Sequence, residues 1–172
     1  MEITRRSDYA FRILRSAYRH ADQYVSIAEV AEEEEIPYAF ARTIQHDLAS
    51  AGFLRTVRGA KGGLVLNIDP AEVTLLEIMR ALQGPVEVAP CAADPSICSL
   101  SSNCTFNRIW IAANAALDAL FGSLTLKDVL DGCTDGTFLK DASDNAMTVV
   151  NQSVEEILAG KVPLTCEKVA VG

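Results

Sequence analysis

Pro37-Tyr-Ala-Phe-Ala-Arg-Thr-Ile-Gln-His-Asp-Leu-Ala-Ser-Ala-Gly52, running on through Phe53-Leu-Arg-Thr-Val57 to Arg58-Gly-Ala-Lys-Gly-Gly63, decides the fold. Pro37 suits the first turn of a helix, where its missing N–H is not needed. Phe40, Ile44, Leu48 and Ala51 keep helical spacing, and Gly52 is placed to end the helix. The opposite face carries Tyr38, Ala39, Arg42, Thr43 and His46. These groups are small or hydrogen-bonding, which suits base edges in a major groove and equally suits a plain solvated face. Phe53–Val57 and Leu64–Ile68 read as two strands around a tip with three glycines and the cations Arg58 and Lys61. A nucleotide-binding glycine loop would need a different spacing and a lysine–hydroxyl pair, which this tip lacks.

Upstream, Ser26-Ile-Ala-Glu29 is a capping box, and Ile27, Val30 and Ala31 give its helix a short apolar face. Two short helices joined by a tight turn make a helix-turn-helix. The hairpin directly behind it is a wing, whose Arg58 can enter a narrow minor groove. Residues 4–21 predict a well-buried first helix on Ala10, Ile13, Leu14, Ala17 and Ala21, widened by Tyr9, Phe11 and Tyr18. The run Glu32–Glu35 reads as a solvated helix end.

Downstream, Thr74-Leu-Leu-Glu77 opens a helix that Gly84-Pro85 closes. Then come Cys91, Cys98 and Cys104 in a polar, turn-rich stretch. Three thiolates in one flexible loop suit an iron–sulfur cluster or zinc, against the plainer reading of ordinary loop cysteines. Cys104 precedes an apolar helical pattern, so it sits where a helix dipole favours negative charge. That long helix carries Phe106, Ile109, Trp110, Ala113, Leu117, Leu120 and Phe121. Its alanine-rich middle fits either a dimer interface or a core. Thr125–Asp128 starts one more short helix. Residues 143–159 suggest a last one, on Ala146, Val150, Val154, Ile157 and Leu158, before a loose tail. Cys133 and Cys166 have no assigned role.

The 172 residues, 49% hydrophobic, suffice for a packed core. Nothing approaches a membrane span or a signal core, which predicts a cytoplasmic protein with reduced thiols. The net charge of −8 is unevenly spread. Within residues 1–20, Arg5, Arg6, Arg12, Arg15 and Arg19 oppose only Glu2 and Asp8, and within residues 36–63, Arg42, Arg55, Arg58 and Lys61 oppose only Asp47, so a polyanion would meet two local basic patches. No nucleophile–base pair marks an enzyme. The expected fold is mainly α with a small β-hairpin wing. A winged helix-turn-helix over 1–84 precedes a cysteine loop over 85–104, a dimerisation helix region over 105–132 and a helical extension over 133–172.

With the Ser7-Asp8-Tyr9-Ala10 start, the Val57–Gly63 wing, Thr74–Ile78 and the cysteine triplet before Trp110, residues 1–132 resemble the Rrf-two-type transcriptional regulators, which include IscR-like and NsrR-like branches. The resemblance implies a homodimeric repressor on a pseudo-palindromic double-stranded operator, with an iron–sulfur cluster held by Cys91, Cys98 and Cys104. The resemblance also implies a cluster that is lost from protein purified in air. The IscR-like branch supplies a histidine three residues after the third cysteine, where this chain has Asn107; His20 and His46 lie far off. The NsrR-like branch supplies an aspartate from the partner subunit, and Asp8 stands at its place. The resemblance therefore favours Asp8 as fourth ligand and a [4Fe–4S] over a [2Fe–2S] cluster. Many relatives carry an acidic residue where this chain has Arg42, so a different operator is implied. The alternatives are a zinc site or thiol–disulfide switch on the same fold, or a protein that binds a metabolic enzyme.

Overall fold

Where a hydroxyl stands three residues ahead of a carboxylate, the chain starts a helix. Ser26 and Glu29 form a reciprocal capping box on α2 (Ile27–Glu33), and Thr74 and Glu77 do the same on α4 (Leu75–Gln83). Thr125 and Asp128 exchange the same two bonds, at 3.0 and 3.1 Å, at the start of α7 (Leu126–Asp131). The computed structural model describes residues 3–21, 23–59, 62–132 and 137–158. The remaining helices are α1 (Arg5–Arg19), α3 (Tyr38–Ser50), α5 (Pro90–Ala93), α6 (Thr105–Gly122) and α8 (Thr137–Leu158). Strands β1 (Leu54–Val57) and β2 (Gly63–Leu66) pair antiparallel, with Leu54 opposite Leu66 and Val57 opposite Gly63.

The capping carboxylates tie stability to pH. Donation from the Thr74 backbone N–H, and next from its hydroxyl, holds the Glu77 carboxyl below its ordinary range. A depressed folded value means that the contribution is complete above the unfolded value and is lost as pH falls through the folded one. Glu77→Gln should therefore flatten the acid-side decline of the thermal midpoint. An unchanged decline would rule out this linkage.

Two compact units divide the chain. The first runs to Gly84 and takes in Thr125–Asp131, because Leu126 and Lys127 donate backbone bonds to Val73 and Pro70. Its core joins Ile13 and Leu14 of α1, Val30 of α2, Ile44 and Leu48 of α3, Leu64 of β2 and Ile78 of α4. A bridge from Val25 to Leu64 extends the hairpin, with backbone bonds of 3.2 and 2.8 Å. Neighbouring Gly63 is needed for this approach, since a Cβ there would lie 2.5 Å from the Val25 carbonyl oxygen. Gly63→Ala should cost about 1–3 kcal/mol, the usual range for overpacking. Urea denaturation would measure it, and a midpoint equal to wild type would contradict the close approach.

Four expectations shift in this unit, the first being that α1 ends at Arg19 and leaves Ala21 exposed. The buried stripe of α3 is Ala41, Ile44 and Leu48, while Phe40 is 61% exposed and Ala51 is exposed. Pro37 is the N-cap of α3 rather than part of its first turn. The acidic run is not a solvated helix end, because Glu34 has only 2% of its side chain exposed. Ile36 N–H reaches back to the Ala31 carbonyl (2.8 Å) around Glu35 at φ +52°, the left-handed closure that ends many helices.

In the second unit, from Pro85 to Leu124 and again from Gly132, α6 packs along α8. α8 begins at Thr137, earlier than the periodicity suggests, and buries Ala142. The polarity of the first turns of α6 is inverted. Asn107 and Arg108 are buried, whereas Phe106 is 66% and Ile109 53% exposed. The expected side-chain face at 154, 157 and 158 and the tail beyond lie outside the described residues. No described helix is long and apolar enough to cross a membrane.

Candidate nucleic-acid interface and cysteine loop

Seating Ala41, Ile44 and Leu48 in the core turns Tyr38, Ala39, Arg42, Thr43 and His46 outward together, all exposed. The structure thus brings the five candidate reading residues onto one face of α3. The Thr43 hydroxyl donates to the Ala39 carbonyl (3.1 Å), leaving its methyl and lone pairs outward. Phe40 joins Tyr9 in a tilted ring pair with centroids 6.5 Å apart. Together with Pro37 and Ile44 they line a cavity of about 400 Å³ that Arg5 and Arg6 border. The sequence reading missed this cavity because Phe40 fits the apolar spacing of α3 as well as Ala41 does.

The wing holds its tip with glycine. Gly59 adopts φ +119°, and Gly62 N–H donates back to its carbonyl (2.9 Å). A Cβ on Gly62 would collide with the Val57 carbonyl. Arg58 is exposed beside this turn, while Lys61 lies outside the described residues. Arg55 is set back on β1 with its guanidinium over the Tyr24 ring at 5.8 Å.

Electrostatically, α1 differs from the linear charge count. Arg6 pairs with Asp47 at 2.7 Å, Arg12 with Asp8 at 2.9 Å, Arg15 with Glu34, and Arg19 with Glu33 and Glu34 at 3.6 Å each. Donation from the Ser16 hydroxyl (2.9 Å) is the main reason that the Glu33 carboxyl is held below its ordinary range. Most of the α1 charge is therefore spent holding α1 to α2 and α3. Arg5, Arg42 and Arg58 are exposed, and no ion pair appears for them among the described residues.

The three cysteines lie on a loop stapled by its own turns. Cys91 sits in the single turn α5, and Cys98 closes a tight turn over Pro95–Ile97. Asp94 caps that turn by accepting from Ser96 N–H (2.9 Å), and hydrogen bonding from the Ser96 hydroxyl, then from this N–H, holds its carboxyl below its ordinary range. A second tight turn, Ser101–Asn103, leads to Cys104, the N-cap of α6, as the sequence predicts. All three thiols are free and half-buried. Among the described residues, no three His, Cys, Asp or Glu side chains converge on one point.

The donor set still fits a soft, thiolate-ligated group. Cys104 brings no side-chain cap to an 18-residue helix, so the first amides of α6 keep their donor capacity. Cys98 lines a cavity of about 410 Å³ with Ser99, Ser101 and Asn107. The Ser101 hydroxyl is buried there with no hydrogen-bond partner among the described residues, an orphaned donor of the kind that a bound anion satisfies. Asp8 is half-exposed on α1 in the first unit, paired with Arg12. A surface pair of this kind is worth only about 0–1 kcal/mol, so the carboxylate can be recruited elsewhere at little cost. Cys133 and Cys166 lie outside the described residues.

Residues 3–132 match the family model described as Rrf2, iron-dependent transcriptional regulator. The chain is similar to the HTH-type transcriptional repressor NsrR of Streptomyces coelicolor, with 30% identity over 81% of this chain and 95% of that protein. It superposes on CymR, the global cysteine regulator of Bacillus subtilis, with TM-score 0.60 and 26% identity over 77% of this chain and 98% of the other. The T. potens IscR structure superposes with TM-score 0.63 over 80% of this chain and 91% of that one; at 20% identity this speaks for the fold alone. The matched relatives are transcriptional regulators rather than enzymes, and the shared architecture is the winged helix.

Proposed function

The chain belongs to the Rrf2 family of transcriptional regulators, and from that membership we propose that it is a homodimeric repressor whose grip on a pseudo-palindromic operator is set by an iron–sulfur cluster. The observation that carries this reading is the placement of three free, half-buried thiols on one stapled loop that ends at the N-terminus of α6. Cys91, Cys98 and Cys104 would hold the cluster, with Asp8 of the second copy as fourth ligand. Such a cluster supplies iron that oxygen, nitric oxide or iron scarcity can remove. The protein does the rest: Asp8 on α1 of one copy and the cysteine loop of the other are tied together or released, which shifts the population of reading-head spacings.

On the DNA, Tyr38, Ala39, Arg42, Thr43 and His46 of α3 read the major groove. Arg58 and Lys61 of the wing hold phosphates or enter the minor groove. Arg42→Ala should cost about 1–3 kcal/mol and relax preference at one base pair, whereas Arg58→Ala should weaken all sequences and lower the salt slope by about one. Fluorescence anisotropy across a salt series separates the two, and an Arg58→Ala protein with wild-type slope would remove the wing from the interface.

The reading is tested by purifying the full chain without oxygen, assaying iron and sulfide, and titrating promoter DNA before and after cluster removal. Iron-free protein with normal operator affinity would sink it. The absence of convergence among the thiols favours one second reading, a thiol–disulfide switch. That reading predicts colourless protein whose DNA affinity responds to oxidant and reverses with thiol reductant.

A further inference from the structure

Asn107 and Asn114 stand two turns apart on one face of α6, about 10 Å along its axis. Both spend their side chains on the backbone that enters the cysteine loop. Asn107 Nδ2 donates to the Cys91 carbonyl oxygen (2.7 Å), and Asn114 Oδ1 accepts from Val88 N–H (2.7 Å). Ala89 between them is extended, and the two bonds set the segment antiparallel to α6, with Val88 at Asn114 and Cys91 at Asn107. Asn107 is only 5% exposed, in a helix turn whose apolar neighbours Phe106 and Ile109 face outward. A buried amide is tolerated there because its bond is made.

We propose that Asn107 and Asn114 act as a two-point strap that positions Cys91 against the N-terminal end of α6, where Cys104 is the N-cap residue. The first and third thiols are then placed before any metal arrives. This rests on the reading that the thiols ligate a metal group, and it assigns Asn107 a positioning role, with no bond of its own to the metal. The strap makes reloading inexpensive, since less chain entropy is lost when the ligands are already ordered.

The two bonds have opposite polarity, and this gives a test that a general packing role would not pass. Asn107 must donate, so Asn107→Asp should fail as Asn107→Ala does. Asn114 must accept, so Asn114→Asp should behave as wild type while Asn114→Ala fails. The readout is site-resolved alkylation of the metal-free full chain by iodoacetamide, followed by mass spectrometry. N107A and N107D should label Cys91 about tenfold faster, the effect of losing one net hydrogen bond on a local opening equilibrium. Cys98 should be unaffected. Unchanged Cys91 labelling, or N114D as damaging as N114A, would overturn the strap. Should the position 107 variants not fold, slow hydrogen exchange at the Val88 amide of wild type still supports the strap, and fast exchange overturns it. Iron analysis reports on the cluster reading separately: iron-free wild type with slow Cys91 labelling removes the metal and leaves the strap.

Discussion

Cys98→Ala, purified without oxygen, is expected to lose its iron, its inorganic sulfide and its visible absorption while keeping a wild-type far-ultraviolet circular dichroism spectrum. Altering groups that merely support a metal ligand already costs about 10–100-fold in affinity, so removing a ligand should exceed that range. The fold should survive because Cys98 is half-buried on a loop and lies outside the hydrophobic core of the winged unit. Cys91→Ala and Cys104→Ala should match it. Asp8→Ala should lose less, because three thiolates remain, and its signature is faster loss of iron in air. If Cys98→Ala retains full iron and sulfide, the three-thiol ligand set is wrong. If only Asp8→Ala is silent, the thiols stand and the fourth ligand must be sought elsewhere.

The second large effect is expected at Ile109→Glu. In a single copy this side chain is 53% exposed and Phe106 is 66% exposed, on a helix turn that buries asparagine and arginine instead. An apolar stripe left outward in this way is the usual mark of a partner surface. A carboxylate placed in a helix–helix contact would lose hydration without gaining a counter-charge. The variant should sediment as a monomer at micromolar concentration. Operator affinity should fall by about 100-fold or more, because each half-site would then be bound without the effective concentration that a linked second head provides. Wild-type sedimentation and wild-type operator affinity for Ile109→Glu would remove α6 from the dimer contact. Loss of affinity without loss of dimer would place the defect in coupling instead.

Much of the winged unit was legible because its signals are local. A hydroxyl and a carboxylate three residues apart fix each capped start. Gly59, Gly62 and Gly63 fix the wing tip through backbone angles and approach distances that other residues do not meet. Where two local choices were equally good, the reading slipped. Phe40 and Ala41 both continue the α3 stripe, and the α1–α3 packing selects the smaller residue while Phe40 turns out to Tyr9.

Charge was the least legible property. The arginines of α1 count as a basic patch until Glu33 and Glu34, some fifteen to twenty positions onward, fold back onto them. Pairing of this kind depends on which helix faces which, and composition carries no record of it.

By itself, then, the sequence determined the order of helices and hairpin, the capped starts, the glycine-built wing and the grouping of three thiols on one loop. All follow from short-range periodicity and backbone sterics. Tertiary structure alone decided which arginines remain free to meet a polyanion, that α6 buries Asn107 and leaves Phe106 outward, and that two asparagines hold the cysteine loop. The physical reason is that a hydrogen bond or ion pair exists only once both partners are brought within about 3 Å, and that proximity comes from packing between distant segments.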